Sequence, residues 1–459
     1  MLDDHEVAAM PPAPKLLKIL GPSFILLGLG LGSGELILWP YLTSNFGLGI
    51  IWGAVLGITL QFFINMEIER YALVRGESIF VGFARKFKYL PAWFIFSTLI
   101  PWIWPGIIAS SAVLLGAFLG IGNTKILTVI FLVLVGGILT LGPVLYKTQE
   151  KVQRTLIILG TPFIFSVAIF IAKPADWAAL GAGIIGQGNG FWFLPAAFPL
   201  ASFLAAVAYA GAGGNLNLAQ SYYVKEKGLG MGKYAGRITS ILTGKKEEIS
   251  LTGAKFLLSG QNLANFKNWW RLVNLEHGLV FWFMGALTIL LLSLLAFATV
   301  FGQGFSSDIT FVLKEALVIG EKTAPAVGRA FLFIGGLMLF STQLGVFDTT
   351  SRILTENLSL AAPKLFPAVR IRRNFYVFLW LQIILAIIII LSGFNQPLAL
   401  LTLAAVLNAA AMFVHIPLTL WLNVTRLERE IRPSVVRIAI MVFAFVFFGY
   451  FTVRTLLAI

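Results

Sequence analysis

Cysteine is absent from all 459 residues, which excludes disulfides, thiolate nucleophiles, zinc-thiolate sites and iron-sulfur clusters at once. Charge is scarce too: Asp, Glu, Lys and Arg make up 12% of the chain, about half of the ~25% usual in soluble domains. Histidine occurs three times, so any metal here must be held by oxygen or by one of three imidazoles. The first residues, MLDDHEVAAMPPAPKLLK, carry acids and prolines instead of a basic segment and a cleavage site, so no removable leader is expected. No Ser/His/Asp constellation and no metal-hydrolase pattern occurs. Gly232-Lys233 fails as a phosphate loop, because the position five residues earlier is Lys227 and the next residue is Tyr234. These absences argue against an enzyme and against a cofactor.

What fills the space is apolar. Hydrophobic residues make up 58% of the chain, and the mean hydropathy is +0.89. Long apolar windows recur near 20–44, 47–69, 92–119, 126–146, 155–172, 196–223, 278–301, 330–350, 374–392, 397–423 and 438–457, each about the ~20 residues that a helix needs to cross a bilayer. The expectation is an all-α membrane protein of about eleven transmembrane helices. The net charge of +14 could suggest nucleic acid, but its distribution argues otherwise. With the N-terminus in the cytoplasm, 28 of the 34 Lys and Arg residues fall in cytoplasmic segments, as the positive-inside rule describes. The excess is topology, and the expected surroundings are lipid. The polar stretch at about 225–277, with "KEKGLGMGKYAGR", "TGKKEEIS" and "NFKNWWRL", suits a cytoplasmic loop with amphipathic pieces on the inner leaflet.

Two apolar windows are interrupted alike. "GSGELIL" (32–38) and "AGGNLNL" (212–218) align without a gap as small, small, Gly, polar, Leu, any, Leu. They open successive five-helix halves, about 20–172 and 196–423, with an extra helix at about 438–457. Paired glycine-interrupted segments at matching positions of two halves point to a secondary-transporter site, and an odd number of helices per half makes the repeat inverted. Unwound backbone at mid-membrane is costly unless a cavity, water or ion satisfies it. Close helix packing through Gly28-x-x-x-Gly32 is the competing explanation.

The residues around these interruptions resemble the Nramp divalent-metal transporters. The likeness is carried by "GPSFILLGLGLGSGELILWPYLTSNFGLGIIW", "LQFFINMEIERYALVRGES", "LFSTQLGVFDTTSRILTEN" and "FVHIPLTLWLNVTRLE", and it runs from about 20 to 432. It implies a leucine-transporter fold, a 5+5 inverted repeat with broken first and sixth helices, and metal transport by alternating access. Where the family carries Asp-Pro-Gly-Asn, this chain has Gly32, Ser33, Gly34 and Glu35. The Met-Pro-His positions are Ala212, Gly213 and Gly214, followed by Asn215. The thioether and the first carboxylate are gone, and "PWIWPGIIASSAVLLGAFLG" lacks the acids that the family's third helix uses for protons.

The expected site is therefore Gly32, Glu35, Ala212 and Asn215, with Gly34, Gly214, Asn408 and His415 as further pocket residues. Glu35 is the expected metal ligand, since an acid in the hydrocarbon region marks an ion pathway by default; a structural pairing with a residue such as His415 is the other reading. Oxygen donors favour hard divalent cations over soft ones. An amino acid or organic cation is the alternative cargo. His415 is either a ligand or a hydrogen-bonded structural residue, and Tyr209, Gln220 and Gln343 either line a cavity or pack. Glu67, Glu69, Arg70 and Arg75, and the row Asp348, Arg352 and Glu356, read as gate-stabilising or structural clusters. The remaining acids read as loop residues.

Overall fold

The computed structural model of the chain describes residues 4–141, 145–196, 198–235, 251–305, 309–394 and 396–457. Among them ten helices are long and apolar enough to cross a membrane: Pro22–Phe46, Leu48–Arg75, Leu90–Leu119, Thr124–Leu141, Gln149–Ile171, Gly260–Val300, Pro325–Ala361, Ala368–Leu391, Pro397–Arg426 and Val435–Thr455. In chain order these are the first to fifth and the seventh to eleventh spans. The sixth window forms no single helix. Its pieces are an α-helix Leu200–Ala208, a 3-10 helix Gly214–Ala219 and an α-helix Gln220–Lys227.

The interruption in the first span takes a different form. Pro22–Gly30 is α-helical with proline in its first turn, where the missing N–H costs nothing. Leu31–Leu38 then widens into a π-helix, with Trp39 N–H bonded back to the Gly34 carbonyl, and Trp39–Phe46 resumes the α-helix. The chain is loosened there without being unwound. The third span bends between Trp102 and Gly106, around Pro105. The second ends on Gly76, whose φ of 62° closes the helix in a left-handed cap.

The polar stretch expected as loop at 225–277 is helical in its last third. Gly260–His277 starts on a Ser259 cap and runs through a π-helical stretch, Gly278–Phe283, into Met284–Val300. No proline separates the amphipathic part from the apolar part, so the helix continues. The "TGKKEEIS" segment lies outside the described residues. On this face Glu6–Val7 pairs in parallel with Ala254–Lys255, and Trp269 Nε1 donates to the Pro11 carbonyl at 2.8 Å.

The reading of the remaining acids as loop residues needs correction, because Glu77, Glu276 and Glu315 are all buried. Glu77, between the second and third spans, accepts from Tyr71 at 2.7 Å and Arg85 at 2.9 Å, and His5 Nε2 lies 3.1 Å away. Burial alone would raise its carboxyl, but the contacts from His5 and Arg85 outweigh that and hold it down at about 2.

Candidate functional site

The π-helical stretch of the first span lies against the break of the sixth segment. A methyl group at Gly34 would sit 1.7 Å from the Tyr209 carbonyl oxygen, and one at Gly30 would sit 2.3 Å from that of Gly211. Both glycines are therefore required by close backbone approach. Gly32 is held from the other side: Thr342 of the eighth span accepts from its N–H at 3.1 Å and donates to the Gly28 carbonyl at 2.8 Å.

The break itself runs from Tyr209 to Gly213. Gly211, Gly213 and Gly214 have φ values of 147°, 68° and 59°, which a side-chain-bearing residue rarely adopts. Gln61 of the second span, fully buried, bonds across the opening. Its Nε2 donates to the carbonyls of Val207 and Ala208 at 3.3 and 2.9 Å, and its Oε1 accepts from Gly213 N–H and Asn217 Nδ2 at 3.3 and 3.1 Å. His415 Nε2 meets the Gly214 carbonyl at 3.0 Å, and Asn408 donates to the Tyr209 hydroxyl at 3.0 Å. The carbonyls of Tyr209, Ala210, Gly211 and Ala212 receive no hydrogen bond from the described residues.

The structure thus brings Gly34, Tyr209, Gly214, Asn408 and His415 together, and Ala212 lies in the same unwound turn. It sends the two polar side chains elsewhere. Glu35 accepts from the Thr288 hydroxyl of the seventh span, and a methyl at Gly285 would lie 3.7 Å from its Oε1. Asn215 donates to Ser97 and Thr98 of the third span at 2.8 and 2.9 Å. No hydrogen bond joins Glu35 to Asn215 or to His415 among the described residues. Each keeps a spare acceptor: Glu35 Oε1, Asn215 Oδ1, Asn408 Oδ1 and His415 Nδ1 are buried without a partner. Buried acceptors left bare cost about 1–3 kcal/mol each; those of Asn408 and His415 belong to side chains that meet the opened turn at Gly214, whereas Glu35 and Asn215 face the seventh and third spans. Among the described residues no group of three or more His, Cys, Asp or Glu side chains could hold a metal ion; the donors here are carbonyl and amide oxygens with one carboxylate.

Gln61, Thr288 and Thr342 were missed by sequence reasoning. A signal existed, since each is a polar residue inside an apolar window. Trp102 was missed as well: its ring stacks on Tyr209 at 5.5 Å and 10°, and its Nε1 is buried without a partner.

Toward the end of the bundle that carries most Lys and Arg, the charged clusters form pairs. Arg70 bonds Glu67 at 2.8 Å and Arg437 reaches the same carboxylate at 3.2 Å. Arg352 bonds Asp348 at 3.0 Å and also Glu226 of the sixth segment. Arg75 reaches Glu428 at 3.0 Å. Glu356 leaves its expected row and accepts from Ser78. Glu69 has a neutral partner, Gln220, at 3.0 Å. Gln343 is buried in the eighth span.

No family model and no curated protein matches this sequence. Solved structures do match in fold. A crystal structure of a mutant manganese transporter from Eremococcus coleocola superposes with a TM-score of 0.72 at 13% identity, over 99% of this chain and 90% of that one. The same transporter in complex with an aromatic bis-isothiourea substituted compound gives 0.70 at 14% identity, over 99% and 90%. MHP1, a nucleobase-cation-symport-1 family transporter in a closed conformation with bromovinylhydantoin bound, gives 0.57 at 13% identity, over 99% and 94%. The chain is thus a multi-pass, all-α membrane protein with a leucine-transporter-like fold.

Proposed function

We propose that this chain is a secondary transporter of the cell membrane, related to the Nramp transporters, that moves a divalent metal cation by alternating access. The observation that carries the reading is the set of bare carbonyls from Tyr209 to Ala212, beside unpartnered oxygens of Asn215 and Asn408. Such oxygens suit a hard, partly hydrated cation such as magnesium, calcium or manganese. Glu35 supplies the negative charge in this reading, and Gly34 lets the first span pack directly against the opened turn. The N-terminus is cytoplasmic, the first repeat covers about 20–172 and the second about 196–423, and the helix at about 438–457 is an addition. No catalysis is assigned.

The test is flux of manganese, magnesium and calcium into liposomes holding the purified chain. Wild-type protein is expected to move at least one of them, and Glu35→Gln is expected to lower that flux about a hundredfold, the size of losing a charge-assisted contact worth roughly 3 kcal/mol. Absence of any divalent flux in the wild type would sink the metal reading.

A second cargo, a planar organic cation or an amino acid, is favoured by one observation: Trp102 stacked on Tyr209 beside the break is a platform for a flat or cationic ligand. Thermal stabilisation separates the two, because whichever ligand binds the folded state raises its apparent stability by mass action.

A further inference from the structure

Two buried carboxyls that the proposed cation site does not use stand where the first span begins. Glu69 of the second span and Glu276 of the seventh are 1% and 3% exposed. Neither forms an ion pair with a Lys or Arg among the described residues. Glu69 accepts from Gln220 at 3.0 Å, the first residue of the helix that follows the sixth segment's break. Glu276 accepts from the Ser23 hydroxyl and from Gly21 N–H at 3.4 Å, both at the start of the first span. Glu69 and Glu276 are also close enough to repel each other.

His277 completes the group. Its Nδ1 lies 2.7 Å from Ser23 Oγ, and its ring stacks on Phe62 at 5.6 Å and Phe281 at 4.6 Å. Phe62 precedes Glu69 by about two helical turns, on the same face. A serine hydroxyl has one proton to give. With that proton on Glu276, Nδ1 of His277 donates to Ser23, and Nε2 of the neutral ring is left as a bare acceptor. Nε2 of His277 and Oε1 of Gln220 are both buried without a partner. The nearest cations are engaged elsewhere: Lys227, beside Glu276, bonds Glu150 at 3.0 Å, and Arg437, beside His277, bonds Glu67 at 3.2 Å.

This patch has two acids, surplus acceptors and too few donors, so what it lacks is a proton. We propose that Glu69, Glu276 and His277 form a proton-binding site whose occupancy sets whether the start of the first span stays fastened to the seventh. Like charges in so dry a place do not both ionise readily, so one carboxyl keeps a proton while the other accepts from the first or sixth segment. Protonating Glu276 turns charge-assisted bonds from Ser23 and Gly21 into neutral ones about half as strong. The proton adds to a carboxylate oxygen from water and returns to water; no other bond changes. The coupling part of this inference rests on the transporter reading, and it supplies an acid route in a chain whose 101–120 stretch contains no acid.

The test pairs a binding readout with a transport readout. Infrared difference spectra of the purified chain between acid and neutral pH are expected to show a protonated-carboxyl band that Glu69→Gln or Glu276→Gln removes and His277→Gln shifts. In liposomes with a trapped pH dye, protons moved per manganese ion are expected to fall about tenfold in each acid variant. If Glu276→Gln does not fold, Glu69→Gln and His277→Gln carry the test. A band identical in wild type and variants overturns the proposal. A band that depends on Glu69 and Glu276 in a chain that moves no manganese, magnesium or calcium upholds the proton site and refutes the metal-transporter reading instead.

Discussion

The first and sixth segments carry matched glycine motifs, yet they do opposite things. The first stays helical, its turns widened to a π-helix, and exposes almost no free backbone. The sixth opens between Ala208 and Gly214, with three glycines at positive φ, and leaves four carbonyls without a donor. The glycines of the first make room, whereas those of the second make the turn. A π-helical stretch is itself a frequent mark of functional sites, and here it lets Gly34 and Gly30 pass against carbonyls of the opened chain. The two interruptions are complementary halves of one contact, and their sequence likeness conceals that division of labour.

The sharpest way to break this comparison is Gly34→Ala. Its methyl would lie 1.7 Å from the backbone oxygen of Tyr209, which cannot rotate away, so loss of a folded, monodisperse protein in size-exclusion chromatography is expected. Gly214→Ala meets the Asn408 side chain at 1.9 Å and carries a φ of 59°; Asn408 can move, so this variant should fold with lowered stability and regain part of it when combined with Asn408→Ala. Equal tolerance of the two glycine variants would collapse the distinction.

A smaller effect is expected from Gln61→Leu, which strips the opened segment of donors and acceptor together. The Ala208 carbonyl and the Gly213 N–H would lose their partner, while Val207 keeps the Ala210 N–H and Asn217 keeps Asn65, for about 2–4 kcal/mol at 1–3 kcal/mol per stranded group. Thermal unfolding in detergent would show it, and an unchanged midpoint would mean the break is held by something other than Gln61.

The smallest effect, and a control remote from both interruptions, concerns Glu77. Its carboxyl is held at about 2 against an ordinary value of 4.5. A lowered acid stabilises the folded state fully above its unfolded value and loses that contribution as pH falls from 4.5 through 2. Glu77→Gln should therefore lower the melting temperature at neutral pH, with the gap to wild type closing across that window, and should leave cation binding as it was. A gap that persists at the acid end would assign the stabilisation to packing.

Much of this was legible in the residues. Window length and hydropathy located ten of eleven spans, and the broken sixth was flagged by its glycines. Glu35, Asn215, Asn408 and His415 were visible as polar residues in apolar runs. Their partners were not: Thr288 lies 253 positions from Glu35, and Ser97 lies 118 from Asn215. Helical periodicity reports which face of a helix is polar and says nothing about which neighbour meets it. The acids at 77, 276 and 315 were misread for a related reason, since each has a charged or polar neighbour (Ser78, His277 and Lys314) and only packing buries them.

Composition and pattern alone pointed to a multi-pass membrane protein, to ten of its apolar spans and to the pair of loosened helices, because each depends on the cost of taking backbone and charge out of water. Tertiary structure decided which loosened helix opens, where Glu35 points and which carboxyls lack a counterion. Those outcomes depend on atoms brought together from distant parts of the chain, where a single methyl or a single proton changes the balance.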